Sequence, residues 1–305
     1  FASALILYGI AFFAASVIIP LFYREIIDII VAAESTAAVT GDLITLVVMT
    51  GATILFYNVA FRTGDFAMVY TQSNILRELT NYAFNKLQNH SYQFFTNTFQ
   101  GSLVAKARRF VRAFETLHDN LLFSFWQTSI KLTGMFVVLS FVAPSVALFF
   151  GLWCVVFLII TIFLVQKKRK HDLREAVADS EVTASLADAI TGILNIKMFA
   201  SSKRENALYK KITSKEEKYR RRAWNFNNII WLTQGTLWMI LEVIGLYLVV
   251  MLWIKGSISP GTIVLVQAYF VAIFGSMWDL GRSIANSMRA VSEAAEMVEI
   301  FETPL

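Results

Sequence analysis

Leu186 to Glu205 reads LADAITGILNIKMFASSKRE. Val182, Leu186, Ile190, Ile193 and Ile196 fall at steps of 4, 4, 3 and 3, which is helical spacing. The surrounding chain is polar, yet Ile193, Leu194, Ile196, Met198 and Phe199 crowd together beside Lys197, Lys203 and Arg204. An apolar knob ringed by cations is covered either by a partner or by its own helical hairpin, and the residues alone leave both open.

The rest of the chain explains why such a knob stands out. With 56% hydrophobic and 16% charged residues over 305 positions, the composition is too apolar for an ordinary soluble domain. Six stretches reach the roughly 20 apolar residues that a bilayer core demands: 1–23, 43–61, 120–142, 145–165, 226–254 and 258–278. The first has neither the charged lead nor the small-residue cleavage site of a signal peptide, so it reads as a true span, with a short piece expected to precede Phe1.

Lys and Arg set the orientation. Of 27, 6 lie in 77–118, 15 in 166–222 and 2 in 282–305, so 23 occupy one side of a six-span chain. The positive-inside rule makes that side the cytoplasm, with both termini inside and the chain multi-pass in the cytoplasmic (inner) cell membrane. The same topology, with anionic lipid head groups, accounts for the net charge of +5 and leaves no case for nucleic acid. Cys154, the single cysteine, excludes an internal disulfide. His90, His118 and His171 lack metal-ligand spacing.

Two long segments join spans on the inner side, 58 residues at 62–119 and 60 at 166–225. In the first, Leu76, Leu79, Ala83 and Leu87 also recur at helical steps. Each segment is expected to be a helical hairpin reaching roughly 40 Å below the membrane. The outer links are turns around Pro144 and at 255–261, where Ser259 is the expected N-cap and Pro260 the first helical residue. Only 24–42 is longer. The first hairpin's tip carries Tyr92, Phe94, Phe95 and Phe99. Gly101 and Gly192 are expected to break each long helix from a short transverse one.

These segments resemble the transmembrane domain of ATP-binding cassette exporters. Asp188, Gly192, Ile196, Lys197, Phe199 and Glu205 match one family pattern; Arg77, Leu87, Phe94, Phe95, Gly101 and Leu103 match another. The chain departs from the pattern at Ser102, where an acid is usual, at Lys106 for Arg, at Phe110 for Asp and at Met297 for Arg. The resemblance implies an all-α membrane fold of six transmembrane helices with two long cytoplasmic helical hairpins. It also implies a transmembrane domain over 1–290, and a linker over 291–305 to a nucleotide-binding domain outside this chain. The tips would be coupling helices, built on Tyr92, Phe94, Phe95, Gly101, Gly192, Ile196, Lys197 and Phe199, seated in grooves of nucleotide-binding domains, one of them the opposite subunit's. ATP and Mg2+ would be bound by those domains, fused or separate. Two six-helix units, as a homodimer or heterodimer, would alternate access for a lipid, drug-like or peptidic substrate.

No GxxxxGK[ST] phosphate loop occurs in the sequence, so these residues offer no catalytic site of their own. Lys131 and Glu242 each lie about a dozen residues from the outer end of their spans, near the midplane. Such intramembrane charges read as an ion pair with each other, as substrate contacts, or as a proton-coupling pair in an ion-gradient-driven carrier, the alternative function. Asn58, Gln127, Gln234 and Gln267 either line a path with them or bond between helices. A channel-like or regulatory use of the fold stays open.

Overall fold

The computed structural model describes residues 2–98 and 100–303. These contain helices and connecting turns without a strand, and six of the helices are long and apolar enough to cross a membrane. In chain order, α1 (Ala2–Phe13) passes through a π-helical turn (Ala14–Ile18) into α2 (Ile19–Ala32); then come α3 (Thr36–Gln88), α4 (Tyr92–Asn97) and α5 (Gln100–Asn120). A second π-helical turn (Leu121–Trp126) leads to α6 (Gln127–Val142), followed by α7 (Pro144–Thr191), α8 (Ile193–Met198), α9 (Ser202–Ile254) and α10 (Pro260–Glu302). The long helices cross from apolar to charged sequence without a break because nothing there can break them. Between Leu152 and Thr191, for example, α7 holds neither Gly nor Pro.

The expected outer link at 24–42 is corrected. α2 continues to Ala32 and α3 starts at Thr36, leaving only 33–35 between them. Charged residues do not stop a helix when its backbone bonds are satisfied, and the span boundaries read from hydropathy marked the end of the apolar run instead.

The structure divides into two compact units, residues 1–152 with 240–305, and residues 153–239. In the first, α10 packs along α5 and α2. Tyr8, Phe12, Met68 and Leu122 form an apolar cluster, and polar bonds tie helices within this unit: Tyr8 donates to Asp65 Oδ1 at 2.7 Å, and elsewhere Tyr269 donates to the Val17 carbonyl at 3.1 Å.

The start of α10 is held by another helix. Ser259 occupies the N-cap position but its side chain does not cap its own helix. Its hydroxyl instead donates to Asp28 Oδ2 at 2.6 Å, while the Gly261 N–H donates to Asp28 Oδ1 at 2.7 Å. The α2 carboxylate thus meets the positive end of the α10 dipole and accepts a bond from one of its orphan amides. A Cβ on Gly261 would run into the Arg24 carbonyl and the Asp28 carboxylate, so the close approach requires glycine.

In the second unit, the charged lengths of α7 and α9 lie side by side. Arg220 binds Glu175 at 3.5 Å, Asp179 at 3.6 Å and also Glu216, and Lys215 binds Glu181 at 2.6 Å. The Glu181 carboxylate holds the Lys215 amine above its ordinary range. Exposed pairs of this kind are worth at most about 1 kcal/mol each. Their use is to fix the register of the two helices, which His171 stacked on Phe226 at 5.1 Å repeats higher up.

Candidate functional site

The first tip is built by a cap. α3 closes at Gln88, and the Ser91 hydroxyl accepts from the Phe94 N–H at 3.3 Å to open α4. The chain leaves α4 through Thr98 in extended conformation. Gly101 is the second residue of α5 and not the break, a correction with a simple cause: extended backbone is open to any residue, so no glycine was needed. Phe99 lies outside the described residues.

Phe94 and Phe95 pack on an internal cluster formed by Ala83, Leu103, Met297 and Ile300, while Tyr92 is 84% exposed. The cluster also takes up Phe110 and Phe301, whose rings meet edge to face at 5.5 Å. Two departures from the family pattern therefore coincide in space. Phe110, where Asp is usual, and Met297, where Arg is usual, together make an apolar joint between α5 and α10, flanked by the Arg109–Glu296 ion pair at 2.7 Å. His90 stacks on Phe94 at 4.3 Å and completes the wall.

The second tip has no such internal cover. α7 ends at Thr191, Gly192 is the N-cap of α8 as its spacing predicted, and Phe199 is its C-cap. Phe199 is 77% exposed, and Ile193, Leu194 and Met198 are exposed beside it. The exit is a Schellman turn: the Ser201 N–H donates to the Ile196 carbonyl at 3.1 Å and the Ala200 N–H to the Lys197 carbonyl at 3.3 Å. Ala200 takes φ 48°, a left-handed conformation that usually falls to glycine, so sequence reading missed it. Ala200→Gly is expected to relieve strain on the order of 1 kcal/mol, seen as slower amide exchange over 193–201.

The candidate pathway residues do not gather in one place. No ion pair joins Lys131 and Glu242 among the described residues, so of the readings left open by the sequence the mutual ion pair is not formed in this structure. Lys131 Nζ donates to Ser276 Oγ at 3.2 Å; the Gln127 amide lies beside the same Nζ, and exchanging its O and N lets the oxygen accept from it at 2.9 Å while the nitrogen donates to the Phe123 carbonyl. Glu242 accepts instead from the Gln267 amide. Each charge thus has one neutral hydrogen-bond partner on another helix, Ser276 for Lys131 and Gln267 for Glu242, rather than the opposite charge. Asn58 is exposed and bonds back to the Ile54 carbonyl at 2.9 Å.

The π-helical turn before α6 was not legible in the sequence. Beside it, Asn120 donates to Ser287 Oγ at 3.1 Å and Ser124 meets Ser283 at 2.6 Å. With Lys131 and Ser276 these make a polar seam along α10.

Comparison with known proteins bears on the whole arrangement. The family model described as ABC transporter transmembrane region matches residues 5–277. The chain belongs to that family. An ABC transporter B family member 6 from Dictyostelium discoideum is 20% identical over 265 residues, which is 85% of this chain and 38% of the relative. Among solved structures, a bacterial Atm1-family ABC exporter with ATP bound superposes over 99% of this chain and 52% of that chain, with TM-score 0.76 and 19% identity. The chain thus spans about half or less of the length of these relatives, and shares the ABC exporter transmembrane fold.

Proposed function

We propose that this chain is the transmembrane subunit of an ATP-driven exporter. It moves a lipid, drug-like or peptidic substrate across the cytoplasmic membrane by alternating access, with both termini on the cytoplasmic side. The α4 and α8 tips act as coupling helices on nucleotide-binding domains outside this chain, and a second transmembrane subunit completes the pathway. The transmembrane domain covers 1–290, and 291–305 leads toward the nucleotide-binding domain. Lys131, Glu242, Gln267 and Asn58 belong to the translocation path.

The observation that carries this reading is the α8 tip. Long helices cost conformational entropy, and here two of them end in an exposed apolar cluster around Phe199 and Met198, with Ile196 and Lys197 in the same short helix. Aromatic and aliphatic anchors with a charged rim are what a partner socket takes up. ATP and Mg2+ belong to the partner domain. This chain has no phosphate loop, and no group of three or more His, Cys, Asp or Glu side chains stands ready for a metal among the described residues.

The test uses the full-length gene product in lipid. With Ile196→Ala and Phe199→Ala combined, substrate-stimulated ATPase and transport are expected to fall at least about tenfold, as loss of two interface anchors would give, with the melting temperature unchanged. Stimulation and transport at wild-type levels in this variant would remove the tip from the transmission path.

A further inference from the structure

A polar recess of about 210 Å3 lies between the segment Phe123–Lys131 and α10, and Ser124, Gln127, Lys131, Gly275, Ser276 and Asp279 stand on its wall. Its chemistry is unbalanced. The Lys131 ammonium, roughly 18 Å along the helix from the outer end of α6, has neutral groups for its direct hydrogen-bond partners, the Ser276 hydroxyl and, with the Gln127 amide oriented to suit its neighbours, that amide's oxygen. The one carboxylate on the wall, Asp279, is shared: its charge reaches Lys131, but its direct ion pair is with Arg282 at 2.8 Å. An intramembrane cation hydrogen-bonded only to neutral groups, with its one nearby carboxylate engaged elsewhere, is costly, and an anion placed directly beside it would offset that cost.

Space is available for one. A Cβ on Gly275 would meet nothing within 4 Å. The volume suits a head group but falls short of the roughly 300 Å3 at which pockets begin to enclose whole drug-sized ligands. Phe123, partly exposed at the edge, offers an apolar surface to whatever is attached.

We propose that this recess holds the anionic head group, a phosphate or carboxylate, of an amphipathic substrate, with Lys131 as counter-ion, Ser124 and Ser276 as hydroxyl donors, and the apolar tail left outside. The assignment of that amphipath as cargo rests on the exporter reading above; the anion site itself does not.

The experiment titrates dodecyl phosphate, with dodecyltrimethylammonium as the opposite charge, into the full-length gene product in phosphatidylcholine nanodiscs, and records ATPase activity alongside. Lys131→Gln and, separately, Gly275→Phe, which fills the space and keeps the charge, are each expected to weaken dodecyl phosphate at least about tenfold, the usual worth of a charge-assisted bond. Lys131→Arg is expected to retain binding, and the cationic probe is expected to show no difference among variants. Equal binding of dodecyl phosphate to wild type and Lys131→Gln, with both folded by melting temperature, overturns the site. Stimulation of ATPase by dodecyl phosphate, lost in Lys131→Gln, supports the cargo role. Binding through Lys131 without stimulation overturns that role and marks bulk anionic lipid as the occupant. Absence of any ATPase with its nucleotide-binding domain present would instead sink the exporter reading while leaving the binding result standing.

Discussion

Met297→Lys is expected to loosen the whole first tip. Met297 is fully buried among Ala83, Leu103 and Ile300, with Phe94 and Phe95 packed against the same cluster. No carboxylate belongs to that cluster, and the nearby Glu296 is already paired with Arg109. A lysine there must bury an unpaired charge or tear the cluster open to reach water, at a cost of about 3 kcal/mol or more. Met297→Leu, which keeps the volume, is expected to cost under about 1.5 kcal/mol. Amide exchange over 83–110 separates the two: protection collapses in the first and persists in the second. Since the natural chain has an apolar joint where the family pattern has Asp and Arg, the double substitution Phe110→Asp with Met297→Arg is the informative rescue. It should recover much of what either single change loses.

The second large effect is at the opposite end of α10. Asp28→Ala removes the acceptor of both the Gly261 amide and the Ser259 hydroxyl, and about 1–3 kcal/mol of stability should go with it. Gly261→Leu attacks the same joint from the other side, pushing a side chain into the Arg24 carbonyl and the Asp28 carboxylate. Neither backbone can yield without parting α2 from α10, and overpacking of this kind costs about 1–3 kcal/mol or more. Melting temperatures of both variants in lipid should drop together; a wild-type value for Asp28→Ala would mean that water caps α10 as well as the carboxylate does.

Much of this molecule was legible before folding. Apolar run length announces a membrane helix because the bilayer core has a fixed thickness, and the helical steps of Leu76 to Leu87 and of Val182 to Ile196 announced the inner hairpins for the same local reason. Gly192 marked its break correctly. The misses are of another kind. Asp28 and Gly261 meet across 233 positions, Phe110 and Met297 share one cluster from different helices, and it is Gln267 that reaches Glu242, for which Lys131 was one of the open readings. Spacing along a chain reports on a helix's own faces and carries nothing about which polar group waits on its neighbour. Ala200 was hidden differently: its left-handed backbone is imposed by the Schellman bonds around it, against its own preference.

Helix α10 is 43 residues without interruption, held at its N-terminal end by a carboxylate from α2 and towards its C-terminal end by the apolar joint beside α4. At 1.5 Å per residue it is a rod of roughly 65 Å. A continuous helix held at both ends has no loop along its length at which to take up a displacement. Tilting its C-terminal end by a few degrees would carry Ser276, which sits near its middle on the Lys131 recess, by an ångström or two, comparable to the reach of one hydrogen bond. The distance of Ser276 from the α2-held end of α10 then sets how far any tilt of that helix would displace the wall of the recess.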